Sequence, residues 1–398
     1  MKQFVFSVLK NVLFLFITVS QTFGQQKTID STKIRVAVFA PLYLDSSYNG
    51  TEYKLTNEYL PKYLLPGLEF YNGVLLALDS LKKDSIPVTV DIYDLKQSIK
   101  KLKSIVEDSS FFSTQLIIAA ITTPEELALL SKVSGENKIP LISATYPRTS
   151  GVEGNSGFVL ISSSLITHIE QLYKFIQKNY ALDNLVLLGN KGNSSRVIKM
   201  LYNNQSKTTA SVPLKYKTID LPDNFNQADI KKHLDSTKLN IIIAGDIDET
   251  FGIDLVKNFS GLLKYKTIFI GMPTWNGLKE FNSDIVKGIS YVYSTPYNFV
   301  QNKNLLQFTQ QKYKAQFGSK PSDYALKGFE TFYHFARLLK KDSSQFINNL
   351  SSNEFTIFTN YDIRPVYNNS ANTSINYLEN FKIYFITKTD GQIFFIQE

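Results

Sequence analysis

The sequence predicts an α/β protein of two lobes, each a parallel sheet covered by helices. Three observations predict it. Strand-like and helix-like segments alternate from residue 34 onward, and a second set of the same units follows a loop-like stretch near residues 148–157. The strands also read as continuous apolar runs, such as LNIIIAG at residues 239–245, which suits a sheet buried on both faces.

In the first set, residues 34–43 (IRVAVFAPLY), 88–96 (VTVDIYDLK), 115–121 (QLIIAAI) and 140–144 (PLISA) read as strands. Residues 66–83, 98–108 and 124–137 between them carry apolar residues at helical spacing. In the second set, strands are expected at 158–163, 184–189, 214–221, 239–245 and 266–272, with helices at 165–179, 194–204, 226–236 and 249–263. An extended stretch at 289–297, helices at 304–317 and 323–341 and a strand-rich end follow, with Asp390-Gly391 as a hairpin signal. Parallel sheets of this kind bind ligands beyond the carboxyl ends of their strands. The loops that follow the strands are therefore where function is sought.

The amino terminus sets the compartment. Lys2 and Lys10 surround apolar residues, residues 12–19 form an apolar run, and Thr22 and Gly24 are small residues ahead of Gln25. This pattern predicts a signal peptide over residues 1–24 and export to the periplasm or cell envelope of a Gram-negative bacterium. The run is too short to span a bilayer comfortably. The chain has no cysteine, which excludes disulfides, a thiol nucleophile and cysteine metal ligands. Its formal charge of +8 becomes +6 once Lys2 and Lys10 leave. Basic and acidic residues are interspersed, so no nucleic-acid partner is expected. With 398 residues, of which 43% are hydrophobic and 13% aromatic, two well-filled cores are within reach.

Catalytic patterns are missing. His168, His233 and His334 fall in expected helices, none with a second histidine at i+3 or i+4, so no metal site is expected. There is no G-x-S-x-G elbow, phosphate-cradling loop or G-x-G-x-x-G fingerprint. Neither enzymatic activity nor a cofactor is expected.

The order of segments carries a resemblance. IRVAVFAPLY, FYNGVLLALDSLKK, QLIIAAITTPEELALLSKVSGENKIPLISATYPRTS, FGSKPSDYALKGFETFYHFARLLKK and ITKTDGQIFFIQ together resemble type I periplasmic binding proteins, within them the leucine/isoleucine/valine-binding-protein-like receptors. FYNGVLLALDSL is most similar to receptor-like domains of Bacteroidetes-type envelope proteins. The likeness runs from Ile34 to the C-terminus and rests on order rather than on any one motif. It implies the two-lobed type I fold with three hinge crossovers. The N-lobe would take residues 33–147 and 290–341, the C-lobe 158–273 and 355–398, and the crossovers 148–157, 274–289 and 342–354. It also implies a non-enzymatic receptor for a small polar solute, with amino acids and short peptides as candidates. An ABC-type membrane transporter or an envelope signalling protein would be its partner. The rival is an envelope scaffold that kept the fold and lost the ligand.

Candidate ligand residues follow from the strand ends. Thr122 and Thr123 offer hydroxyls and free N–H groups to an anionic ligand group at a positive helix end, and the same groups make an ordinary N-cap with Pro124, Glu125 and Glu126. The resemblance places Ser143, Ala144, Thr145 and Tyr146 in a second ligand-contacting loop, and Asp246 and Asp248 at cleft positions of the C-lobe. The alternatives are ordinary turn chemistry for the loop at 143–146 and helix capping by Asp248 beside a solvated Asp246 for the aspartates. Thr274 and Trp275 follow another strand, where the single tryptophan could stack on a sugar or apolar ligand, with packing into the core as the alternative. The family's usual Gly-Pro is replaced by Ala119-Ala120-Ile121, and no acid follows Pro273 until Glu280. Tyr43, Tyr48, Tyr53, Tyr59 and Tyr63 cluster in the insertion after the first strand, as a lid or a contact surface.

Overall fold

The structure, a computed structural model, describes residues 33–55, 60–262, 264–277, 289–368, 374–390 and 392–396. The expected signal peptide and Tyr59 lie outside them. The first half of the chain forms β1 (Ile34–Ala40), α1 (Leu65–Lys83), β2 (Val88–Asp94), α2 (Ile99–Val106), β3 (Leu116–Ala119), α3 (Pro124–Asn137), β4 (Leu141–Ser143) and β5 (Phe158–Leu160). Next come α4 (Leu165–Tyr180), β6 (Asn184–Gly189), α5 (Asn193–Thr208), β7 (Lys217–Asp220), α6 (Gln227–Lys231), β8 (Asn240–Ala244), α7 (Glu249–Phe259) and β9 (Thr267–Gly271). The chain closes with β10 (Ser290–Thr295), α8 (Lys303–Phe317), α9 (Asp323–Lys341), β11 (Ile363–Tyr367), β12 (Ile375–Asn380), β13 (Tyr384–Thr389) and β14 (Gln392–Ile396).

The apolar runs become strands because both of their faces are covered. In β1, Val36, Val38 and Ala40 join a cluster with α1 and α9, while Ala37 and Phe39 join another with α2 and α3. The second lobe has its own core, which includes Ile241, Ile242 and Ile243 of β8. On the first lobe, α1 and α9 touch backbone to backbone. Gly73 lies against the Ala325 carbonyl and Gly328 against that of Phe70, where any Cβ would collide.

Each of the two large sheets has seven strands, ordered β11-β12-β5-β4-β3-β1-β2 and β14-β13-β10-β9-β8-β6-β7. Neighbours pair in parallel except at one end of each sheet. There β11 runs against β12, and β13 runs against both β10 and β14. The closing hairpin forms with Thr389 opposite Gln392 and Asp390 at φ 50°.

The chain changes sheets three times: from β5 to α4 through residues 161–164, from β10 to α8 through 296–302, and from β12 to β13 through 381–383. The two-lobed α/β fold with three crossovers is present, but these positions correct the boundaries drawn from the sequence. Phe158–Leu160 belongs to the first sheet, Ser290–Thr295 to the second, and β11 and β12 to the first. Phe346, Leu350, Phe358 and Tyr361 keep residues 342–362 on the first lobe's core. The reason is physical: a change of sheet needs only three to seven irregular residues after a strand, which leaves no mark in composition. The polar stretch 148–157, read as a linker, is an excursion between the adjacent strands β4 and β5.

Candidate ligand cleft

Strands β5 and β10 both leave their sheets at the carboxyl end and enter the other lobe within seven residues. The carboxyl ends of the two sheets therefore face each other across the crossovers. Within each sheet the strand order reverses once beside the lobe's first strand of the βα series: β1 lies between β2 and β3, and β6 between β7 and β8. Such switch points open a crevice at the strand ends.

At the first lobe's switch point the loop after β1 is held by Asp94. Its buried carboxylate accepts from the backbone N–H groups of Leu42 (2.9 Å), Tyr43 (3.1 Å), Leu44 (2.7 Å) and Lys96 (2.8 Å). Tyr43 sits in the left-handed region at φ 56°, a conformation that costs a non-glycine residue energy and is kept by those bonds. Its ring meets Tyr63 edge-on at 5.0 Å between centroids, and Lys96 Nζ lies 5.8 Å from its centre.

Beside it, Thr123 caps α3 and Glu126 reaches back to complete a capping box. Glu126 Oε2 accepts from Thr122 N (2.8 Å), Thr123 N (3.1 Å) and Thr122 Oγ1 (3.0 Å). Lys96 Nζ pairs with Glu126 Oε1 at 2.7 Å and also contacts Thr122 Oγ1. The Glu126 and Lys96 side chains are 4% and 16% exposed.

At the second switch point, Asp246 follows β8 and is 1% exposed. Its Oδ1 accepts from Ser194 Oγ of α5 (2.5 Å) and from Asp248 N (3.0 Å). Asp248 caps α7 by accepting from Phe251 N at 2.8 Å, and Thr274 Oγ1 donates to the Ile247 carbonyl at 3.1 Å.

The other candidates fall differently. Ser143 is buried and donates to the Tyr146 carbonyl at 3.4 Å, while Thr145 Oγ1 donates to the Ile121 carbonyl at 3.0 Å. The Ala144 carbonyl is occupied by hinge groups, accepting from Ser162 Oγ (2.7 Å) and Tyr297 Oη (2.5 Å). Trp275 is no cleft platform. It is 0% exposed in the second core, and a Cβ on Gly252 would come within 2.5 Å of its ring. The missing side chains of Gly252 and Gly271 make room for the indole. Tyr48 and Tyr53 face each other across a short exposed hairpin.

A buried polar network ties the crossovers together. Ser163 Oγ donates to the Asn380 carbonyl at 2.6 Å, joining the first crossover to the end of β12, where the third begins. Asn298 N, in the second, donates to Thr359 Oγ1 (3.1 Å), which itself donates to Glu330 Oε2 at 2.8 Å. Glu330 also accepts from Phe358 N (2.7 Å) and Thr359 N (2.5 Å), yet burial pushes its carboxyl up to about 7. His168 contacts Ser294 Oγ at 2.9 Å, and burial lowers its pKa to about 4. It is therefore a neutral core residue. Sequence reasoning missed Asp94, Lys96 and Glu330, whose partners are remote in the chain. Among the described residues no helix is long and apolar enough to cross a membrane, and no cluster of three or more His, Asp or Glu could hold a metal ion.

No family model matches the chain, and no curated protein does. Solved structures do. A branched-chain amino acid ABC transporter periplasmic ligand-binding protein from Burkholderia xenovorans aligns at TM-score 0.62 and 10% identity, over 92% of this chain and 94% of that one. An ABC transporter substrate-binding protein from Desulfitobacterium hafniense, in complex with Leu, aligns at TM-score 0.57 and 11% identity over 92% and 100%. A solute-binding protein from R. palustris in complex with benzoate aligns at 0.51 and 13% over 92% and 95%. With its two seven-stranded sheets, three crossovers and facing strand ends, the chain has the type I periplasmic-binding-protein fold.

Proposed function

We propose that the chain is an exported solute-binding receptor that holds a small polar ligand between its lobes and performs no chemistry on it. One observation carries this reading: each sheet presents a polar loop at its switch point, and the two loops belong to lobes joined by three short crossovers. A ligand touching both loops would favour the closed arrangement, because only differential contact with the two states can shift a hinge. The names of the similar solved proteins support a solute, and the signal-like start supports export. The partner would be an ABC-type transporter or an envelope signalling protein. Thr145, Tyr146, Asp246 and Asp248 remain the candidate contacts on the two sides. A second reading, an envelope scaffold without a ligand, is favoured by the internal satisfaction of Thr122 and Thr123 by Glu126.

The test is a thermal-shift screen of protein unfolded and refolded to strip carried ligand, against amino acids, short peptides, sugars and polyamines. A ligand at a hundred times its Kd adds about 2.7 kcal/mol to stability. One chemical class raising the midpoint supports the receptor. Silence from every class in refolded protein favours the scaffold.

A further inference from the structure

The acids at the two switch points decide what the cleft can hold. At the first, two backbone N–H groups and a hydroxyl at the start of α3 are what an anionic ligand group would meet. All three already donate to Glu126 Oε2, and Lys96 supplies the counter-charge on Oε1. A ligand carboxylate entering here would have to expel Glu126 from these donors and leave a second negative charge beside it. The second switch point is arranged in the opposite sense. Asp246 is 1% exposed, both of its hydrogen bonds fall on Oδ1, and among the described residues Oδ2 has no partner and no Lys or Arg pairs with the side chain. A buried carboxylate left in this way favours a cation from outside the chain.

Building on the receptor reading, we infer that the solute is an amine with no free carboxylate, its ammonium meeting Asp246, and that Glu126 is the specificity-determining residue that excludes its acid counterparts. Tyr63, exposed beside Tyr43, offers an aromatic ring of the kind that attracts cations. Leucine and benzoate, named with the similar structures, each carry a carboxylate. This chain's selectivity would depart from theirs.

The test compares matched probes on refolded protein: leucine with leucinamide, benzoate with benzylamine, and putrescine alongside. At least one amine should raise the unfolding midpoint by roughly 3–5 °C at saturation, and neither acid should move it. Glu126→Ala, which vacates the three donors and leaves Lys96 without its partner, should regain midpoint with acetate and not with acetamide. A shift of the wild type by leucine or benzoate would overturn the inference and leave the receptor standing. So would silence of every amine while another class binds, or rescue of Glu126→Ala by acetate and acetamide alike. Silence of all classes would overturn both. Should Glu126→Ala not fold, the acid and amine pairs on the wild type decide.

Discussion

The two lobes repeat one design, a strand-end loop with an acid at the switch point, and they spend the acid differently. In the first lobe Glu126 lies one turn inside its helix, reaches back over the loop, and is closed by three donors and Lys96. In the second, Asp246 stands before the helix, leaves the capping to Asp248 and keeps one carboxylate oxygen without a partner among the described residues. The position of the acid relative to the N-cap makes the difference. Three residues past the cap, a carboxylate turns back onto the free N–H groups and satisfies them. Two residues before it, the carboxylate is held from the side through Oδ1 alone, with Oδ2 left without a partner among the described residues.

The largest effect should come from breaking the closed loop. Glu126→Ala strands Lys96 and the loop N–H groups, and should cost about 3 kcal/mol of stability, read from denaturant unfolding. Lys96→Met in the same background should cost much less than it does alone, because the pair is coupled. Independent effects of the two changes would mean that the first loop is not closed by this pair.

The next effect concerns the hinge on which the two loops would work. Glu330 holds its proton up to about pH 7, above the ordinary value of 4.5. Because the folded state binds this proton more tightly, its stabilising effect is complete below pH 4.5 and is lost as pH rises through 7. The falling limb should amount to at most about 3 kcal/mol, and Glu330→Gln should flatten it. A wild-type midpoint that rises across this window and is matched by Glu330→Gln would remove Glu330 from the hinge's energetics.

Asp246→Asn should change stability by less than about 1 kcal/mol while abolishing binding of whichever probe shifts the wild type. Equal affinity in the variant would erase the contrast between the lobes. The smallest effect expected is none. Trp275, buried in the second core, should keep its emission unchanged on ligand addition and resist acrylamide quenching until unfolding. Quenching in the folded state would return it to the cleft.

How much of this was legible in the sequence follows the same contrast. The closed loop was spelled out locally, since Thr123-Pro124-Glu125-Glu126 is a capping-box pattern, and Asp248 likewise precedes an apolar helix. Lys96 was not legible. It follows β2, and β1 separates that strand from β3, so only the strand order brings it to Glu126. Asp94 holds backbone groups some fifty residues away for the same reason. For Trp275 the position after a strand leaves packing and ligand stacking open, and burial in the second core decides for packing. The glycines at 252 and 271 that admit its ring were the signal available. The fold class followed from apolar runs, which are set by burial on both faces. The crossovers did not, because a few irregular residues carry no such pattern.

Closure of the two loops on a solute can be read as a distance. The chain has no cysteine, so spin labels on Lys100→Cys of α2 and Lys191→Cys, after β6, would report the distance between the two rims without background. With any probe that raises the unfolding midpoint, the distance distribution should move to shorter values by several Å. An unchanged distribution with a stabilising probe bound would contradict it.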